Sequence, residues 1–373
     1  MLLKELHILN FKNIREATLA LCPGFNCLTG NNGEGKTNVL DAVYQLSICK
    51  SYFGLPDSQN IRHGEAFFVL QGRYERNGEG AEIYCGVKNG RKKTFRKDGK
   101  EYGKLSEHIG FIPLVMIAPE DVVLIEGGSD ERRKLVDGII CQCDREYLHA
   151  LIRYNKALLQ RNSFLKSAAG TVPDPELVEV WDEQLAEYGE RIREGRERFL
   201  EEFTPVFQHY YRQLSAGRER VGLSYHASVK PGEYAQKLKD TLERDRMLAY
   251  TTVGIHRDDL HFCIDDFPVK KVGSQGQKKT FLIALKLAQY VWLHRSGGLK
   301  PLLLLDDIFD KLDAERVGAI VRIVGEELFG QVFLTDTNRE HIDEMLRRQP
   351  KEYRLFRVEE GRIVQEPADG LPA

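Results

Sequence analysis

The sequence predicts an α/β protein whose main domain is assembled from both ends of the chain, with a helical subdomain inserted between them. Three observations carry this reading. A glycine-rich loop at 30–37 stands between a short apolar strand and a helix. A fully apolar strand at 301–305 ends in two consecutive acids. Residues 129–246 read as helix, with few strand candidates. The expected boundaries are 1–120 with 247–373 for the main domain and 121–246 for the insertion.

At roughly 100–200 residues per domain, 373 residues allow two or three domains. Lys and Arg total 54 against 56 Asp and Glu, a net charge of −2. That balance excludes a polybasic, histone-like binder, yet leaves room for a local basic patch. No run approaches the ~18 apolar residues of a membrane span. Lys4 and Glu5 fall where a secretory leader needs its apolar core, so a cytoplasmic protein is expected. The seven cysteines are odd in number and irregular in spacing, with Cys141 and Cys143 a lone C-x-C. Reduced thiols, with neither disulfides nor a structural metal, are expected.

Along the chain, 3–10 alternates as a strand, and 25–29 is a short strand ending at glycine. Residues 37–48 place Val39, Leu40, Val43 and Leu46 at helical spacing. Residues 67–74, 81–87 and 92–97 read as antiparallel strands, with Asn89-Gly90 and Asp98-Gly99 as turn signals. Two helical stretches follow. One carries Leu135, Val136, Ile139, Ile140, Leu148, Leu151, Ile152, Leu158 and Leu159; the other carries Trp181, Leu185, Tyr188, Ile192, Phe199 and Phe203. Glycine and two prolines within 166–175 separate them. A strand at 260–264, a helix at 274–295, a helix at 317–328 and a buried strand at 331–335 complete the pattern.

Gly30-Asn31-Asn32-Gly33-Glu34-Gly35-Lys36-Thr37 fits G-x-x-x-x-G-K-[ST] in its strand–loop–helix context. Glycines let successive N–H groups turn toward phosphate oxygens, and the helix start adds its positive dipole end. Lys36 should reach the β- and γ-phosphates, and the Thr37 hydroxyl should ligate Mg²⁺. The strand 301–305 leads into Asp306 and Asp307. Strand carboxyl ends face the ligand crevice in a parallel sheet. Asp306 therefore suits the Mg²⁺ partner of Thr37, and Asp307 the group that orients or deprotonates an attacking water. Ser274, in Gly273-Ser274-Gln275-Gly276-Gln277, is a good N-cap for the helix that follows.

A phosphate loop, a Ser-Gln-Gly-Gln helix start, a strand with two acids and then Leu312-Asp313 follow one another in the order of the ABC-type ATPases. The chain resembles the RecF family within them, which is related to SMC heads. The stretches LKELHILNFKNIREA, GNNGEGKTN, APEDVVLIEGGSDERRKLVD, GIHRDDL, GSQGQKKTFLIALKLA and LLLLDDIFDKLD carry the resemblance. It implies an ABC-type P-loop ATPase head with a mixed sheet, and an ATP-dependent homodimer with both ATP sites between subunits. Ser274, Gly276, Gln277 and Asp313 of one subunit would meet the nucleotide held by Gly30 to Asn38 of the other. The resemblance further implies an ATP-dependent DNA-binding protein acting at gaps or single-strand–duplex junctions, and working with RecR and RecO to place RecA on single-stranded DNA.

ABC proteins usually carry Glu where this chain has Asp307; the shorter acid, shared by RecF-like proteins, suits slow hydrolysis. They carry His after the strand 331–335, where Asp336-Thr337-Asn338 stands here. Glu120 or Asp121 falls near the place of their lid glutamine. Two other readings share the nucleotide chemistry: an ATPase subunit of a membrane transporter, and a scaffold that binds ATP without turnover.

For DNA, the candidates are Lys92, Lys93, Arg96 and Lys97 around the hairpin turns, where a basic edge suits phosphate contacts. Arg132, Arg133, Lys134, Arg153, Lys156 and Arg161 form a second basic set, for which a solvated helix face is the simpler expectation. The acids of His256-Arg257-Asp258-Asp259 are expected to stabilise a turn.

Overall fold

The computed structural model describes residues 1–167, 175–309, 313–337, 339, 342, 346 and 351–367. The chain forms two compact units, one of residues 1–121 with 289–373 and the other of residues 122–288.

The first unit opens with strands β1 (Leu2–Phe11), β2 (Ile14–Ala20) and β3 (Phe25–Thr29), then helix α1 (Lys36–Ile48). Val39, Leu40, Val43 and Leu46 are buried in α1, as their spacing predicts, but so are Asp41, Ala42, Gln45 and Ser47, so the helix is covered on more than its apolar side. Strands β4 (Phe67–Arg76), β5 (Glu79–Lys88), β6 (Thr94–Lys97) and β7 (Lys100–Glu101) follow, then β8 (Leu114–Ile117). Asp98 and Gly99 both have positive φ, 50° and 77°, the type I′ geometry of a two-residue hairpin. Asn77 and Gly78 do the same between β4 and β5, at 52° and 84°, a turn that pattern reading had not singled out.

In the second unit come α2 (Val123–Glu126), α3 (Ser129–Ile140), α4 (Arg145–Ser167), α5 (Pro175–Ser215), β9 (Val221–His226) and α6 (Tyr234–Leu248). Strands β10 (Asp259–Ile264) and β11 (Phe267–Pro268) and helix α7 (Val269–Val272) follow. The division between the units falls within α8 (Gln275–Gly297). Strand β12 (Leu302–Leu305), helix α9 (Ala314–Gly325) and strands β13 (Val332–Asp336), β14 (Tyr353–Glu359) and β15 (Arg362–Glu366) belong to the first unit.

The first unit holds two six-stranded sheets. One is antiparallel, in the order β2-β1-β4-β5-β6-β7. The other runs β15-β14-β3-β13-β12-β8, parallel from β14 to β8. The core includes Leu6, Ile8, Phe11, Leu40, Val43, Phe68, Leu70 and Phe95, drawn from strands and α1 alike. In the parallel sheet, Leu305 lies opposite Leu334 and Thr29 opposite Asp336. This register brings the carboxyl ends of β3, β12 and β13 to one edge, where Lys36 opens α1 after β3, Asp306 follows β12 and Thr335 stands among the last residues of β13.

The second unit holds more strand than the helical reading of 129–246 expects. Residues 221–226 form β9, which pairs with β10 and, through it, with β11. That pairing draws the segment after 246 into the second unit, which therefore runs to Ala288. The buried face of α4 also differs from the apolar letters. Ile152 and Leu159 are exposed, and the buried positions are Tyr147, Ala150, Tyr154, Ala157, Arg161 and Leu165.

Arg161 is fully buried and neither solvated nor open to DNA. Its guanidinium donates to Asp182 at 2.6 Å, and to Asp245 at 2.7 Å and Thr251 at 2.9 Å. Arg132 likewise grips Asp259 through Nε and Nη2, each at 3.0 Å, and Arg133 donates to the Asp258 carbonyl. Asp258 accepts from the Ser228 N–H at 2.7 Å and from the Tyr225 hydroxyl, 30 and 33 residues away in sequence, so it ties the end of β9 to this segment; Asp259 accepts from the adjacent Leu260 N–H at 2.7 Å.

Removing one partner from a buried ion cluster strands the others without compensation. Arg161→Ala should therefore destabilise the protein by about 3–5 kcal/mol. Denaturant unfolding checks this, and a loss below about 1 kcal/mol, the scale of an exposed ion pair, would contradict the buried assignment.

Candidate functional site

The glycine loop takes the conformation its residues demand. Gly30, Gly33 and Gly35 have φ of 149°, 86° and 115°. A Cβ on Gly30 would sit 2.2 Å from the Val358 carbonyl oxygen, and one on Gly35 2.6 Å from the Asn13 side chain. Both positions disfavour a side chain through φ, and at Gly30 the Val358 backbone leaves no room for one. Lys36 is buried and lies along its own loop, its Nζ donating to the carbonyls of Gly30 at 2.7 Å and Asn31 at 3.0 Å.

The loop is braced from two sides. Asn13 donates to the Glu34 carbonyl at 2.9 Å and accepts from the Asn38 amide at 2.7 Å. The turn between β14 and β15 supplies the other brace. The Gly361 N–H donates to the Glu34 carbonyl at 2.9 Å, and the Glu360 N–H to the Glu34 carboxylate. Asn31, Asn32 and Gly33 remain exposed at the tip.

Thr37 and Asp306 meet although 269 residues separate them. The Thr37 hydroxyl lies 2.9 Å from each Asp306 carboxylate oxygen. Thr335 donates to Asp306 Oδ1 at 2.8 Å, while its oxygen accepts from the Asp307 N–H at 2.9 Å. Sequence reading missed Thr335. The available signal was a hydroxyl closing the apolar run of β13, one strand away from the acid pair. Asp307 has φ of 43°, an uncommon conformation for a non-glycine residue and one that recurs at functional sites. Burial pushes the Asp306 carboxyl up to about 6; the hydroxyls of Thr335 and Thr37 oppose that rise, and the charges of Asp307 and Glu120 add to it.

That last effect separates the two lid candidates. Glu120 is exposed and its charge is felt at Asp306. Asp121 is buried and accepts from the Tyr52 hydroxyl at 2.7 Å and the Ala118 N–H at 2.9 Å, which makes it a brace for its own turn. Of the switch candidates, Asp336 closes β13, Thr337 is exposed, and Asn338 lies outside the described residues.

The donor set suits hard cations and phosphate. One carboxylate and one hydroxyl offer oxygen ligands at the foot of a phosphate loop. Mg²⁺ characteristically takes one or two carboxylates and fills its remaining positions with water and substrate phosphate. Among the described residues no group of three or more His, Cys, Asp or Glu is placed to hold a metal. All seven cysteines are thiols outside any disulfide, five of them buried.

In the second unit, Ser274 caps α8 as expected. The Gln277 N–H donates to its hydroxyl at 3.2 Å, and the Ser274 N–H donates to the Gln277 side-chain oxygen at 2.7 Å, a reciprocal capping box. Gly276 lies within the first turn of the same helix. In the first unit, exposed Asp313 caps α9 by accepting from the Arg316 N–H at 2.9 Å.

The basic hairpin divides. Lys93 pairs with Asp57 at 2.6 Å and donates to the Cys49 carbonyl at 2.6 Å, so its charge is spent inside the fold. Lys92 is exposed, Arg96 lies over the Tyr84 ring and Lys97 over the Phe111 ring, at 5.6 and 4.1 Å.

Among the described residues no helix is long and apolar enough to cross a membrane. A family model described as the RecF/RecN/SMC N terminal domain matches residues 2–363. The chain is 52% identical over 370 residues to the DNA replication and repair protein RecF of Bacteroides thetaiotaomicron, covering 99% of this chain and all of the relative. It is 53% identical over 364 residues to the same protein of Bacteroides fragilis, covering 97% and 98%. A solved structure of the recombination mediator protein RecF with ATP, from the RecFOR pathway, matches with a TM-score of 0.89 at 30% identity, over 98% of this chain and 97% of that one. An Smc head domain derived from Pyrococcus furiosus matches at 16% identity with a TM-score of 0.57, over 98% and 96%, a likeness of fold alone. With the ABC-type ATPase head fold in place and relatives this similar along nearly their whole length, the chain belongs to the RecF family of DNA replication and repair proteins.

Proposed function

We propose that this chain is an ATP-gated DNA clamp of replication and recombinational repair. The observation that carries the reading is the Thr37–Asp306 contact, 2.9 Å to each carboxylate oxygen, at the foot of the braced phosphate loop. Gly30 to Asn38 would cradle ATP phosphates, and Lys36, now on its own loop carbonyls, would turn to the β- and γ-oxygens. Thr37 and Asp306 would hold Mg²⁺, whose charge offsets that of the phosphates. Asp307, its backbone N–H fixed by Thr335, would orient an attacking water from close beside the metal ligand. A short side chain at that point suits slow turnover, a timer more than a motor.

Ser274, Gly276, Gln277 and Asp313 of one copy would complete the site of a second copy. A γ-phosphate contact made only in the closed dimer shifts the equilibrium toward closure, and hydrolysis releases it. The RecF solved with ATP supports nucleotide binding here, and its RecFOR pathway supports RecR and RecO as partners in placing RecA on single-stranded DNA at gaps or junctions. Family membership argues against a transporter subunit, and the cytoplasm is the compartment in which such a protein meets DNA.

Lys92, Arg96 and Lys97 are the phosphate contacts we assign to the hairpin, with Lys93 reserved for the fold. Anisotropy of a labelled gapped duplex should show tighter binding with ATP-Mg²⁺, lost in Ser274→Arg. Alanine at Lys92, Arg96 and Lys97 together should lower the salt slope of log affinity by about 2 to 3. Binding indifferent to ATP would contradict the gate, and an unchanged slope would remove the hairpin from the DNA site.

The raised Asp306 carboxyl has a consequence for stability. The folded chain takes up this proton near pH 6, whereas the unfolded chain does so only near 3.8, the ordinary value for an aspartate carboxyl. Stability therefore falls as pH rises across that interval. In a chelator, Asp306→Asn should remove the fall and exceed the native protein at neutral pH by up to about 3 kcal/mol, while losing Mg²⁺-dependent ATP binding. Denaturant unfolding on either side of the interval checks this. An unchanged pH dependence in Asp306→Asn would contradict it.

A further inference from the structure

The amide of Gln277 is bonded at both ends, and the two ends agree on its direction, the charged one more strongly. Its oxygen accepts from the Ser274 N–H at 2.7 Å, and its nitrogen donates to Glu219 Oε1 at 3.0 Å. A side-chain amide rotated by half a turn has nearly the same shape. The Ser274 N–H only donates, so it already calls for the amide oxygen on its side. Glu219 fixes it strongly, because an ionised carboxylate only accepts: a rotated amide would point its oxygen at a negative charge.

Glu219 is itself held. It lies in the short connection between α5 and β9, and the hydroxyl of Tyr211 donates to its second oxygen at 3.0 Å. The Tyr211 ring is buried against Phe207 and Phe281. A second tether, Lys278 to Glu126 at 3.0 Å, steadies the same first turn of α8.

With the amide so directed, the Ser274 N–H is consumed inside the capping box. The Ser274 oxygen accepts from the Gln277 N–H at 3.2 Å. A hydroxyl has one proton, so that proton is left to donate outward. The N–H groups of Gln275 and Gly276 face the same way as the first donors of a helix, which have no partner within it.

We propose that Glu219 is a positioning residue for the Ser274 loop: through the Gln277 amide, it sets the array of donors that the loop offers to a γ-phosphate on a second copy of the chain. This rests on the shared-site dimer proposed above. Glu219 touches no nucleotide in this account.

The test is sedimentation of the full chain with and without ATP-Mg²⁺, alongside ATP affinity of the monomer and the thermal midpoint. Glu219→Ala should weaken ATP-dependent self-association by about tenfold, the scale of one charge-assisted hydrogen bond. Monomer ATP affinity should not move, which a general loss of structure would not allow. Glu219→Gln should fall between the native chain and Glu219→Ala, because its carbonyl can still accept from Gln277 but without the charge that strengthens the bond. If Glu219→Ala folds poorly, Tyr211→Phe, which removes a single hydroxyl, should show a smaller loss in the same direction.

Ser274→Arg separates the two claims. If it abolishes self-association while Glu219→Ala and Tyr211→Phe match the native chain, the Glu219 role is overturned and the dimer stands. If the native chain does not self-associate with ATP, or Ser274→Arg does so normally, the shared site fails and the Glu219 role fails with it.

Discussion

The site rests on keeping one carboxylate in a place that disfavours charge. Asp306 is almost fully buried at the end of a strand of four leucines, and burial alone would push its proton on. Two hydroxyls, from Thr37 and Thr335, counter that by donating to it. A buried carboxylate so supported is a strong ligand for a hard cation, because water competes poorly there. The same burial makes the charged form of the group costly to the fold, the usual trade between stability and function.

The parallel register is what allows those hydroxyls to arrive. Thr37 comes from the first turn of α1, Thr335 from β13 and Asp306 from the end of β12, and only the pairing of β12 with β13 and of β13 with β3 brings them together. The phosphate loop is fixed by one element near in sequence and one at the far end of the chain. Asn13 holds the Glu34 carbonyl from one side, and the turn at Glu360 and Gly361 holds the same residue from the other. Rigidity at Glu34 leaves Asn31, Asn32 and Gly33 as the exposed part of the loop, so a ligand meets a preorganised rim.

Features with a local cause were legible in the sequence. Strand β3 and the apolar strand β12 lie where four or five consecutive buried residues place them, and α1 follows its own apolar spacing. The phosphate loop and the Ser274 cap were visible because glycine conformation and capping chemistry are set by neighbours a few residues away. Features with a distant cause were not. Thr335 matters because of a strand 30 residues earlier in the chain, and no local pattern marks it. Arg161 looked like a surface cation until Asp182 and Asp245 came to it from two other helices. Lys93 looked free until Asp57 closed on it. Strand β9 is short and half-exposed, with a weak pattern of its own; its partner β10 defines it.

The account turns on Thr37 and Asp306 acting together on a Mg²⁺ brought by ATP. The most direct measurement is calorimetric titration of ATP, with and without Mg²⁺, into the native chain and into Thr37→Val. The account predicts that Mg²⁺ strengthens ATP binding to the native chain, and that this gain disappears in Thr37→Val while metal-free binding is little changed. A Thr37→Val protein that keeps the full Mg²⁺ gain would contradict it, and the contact between hydroxyl and carboxylate would then be a feature of the fold alone.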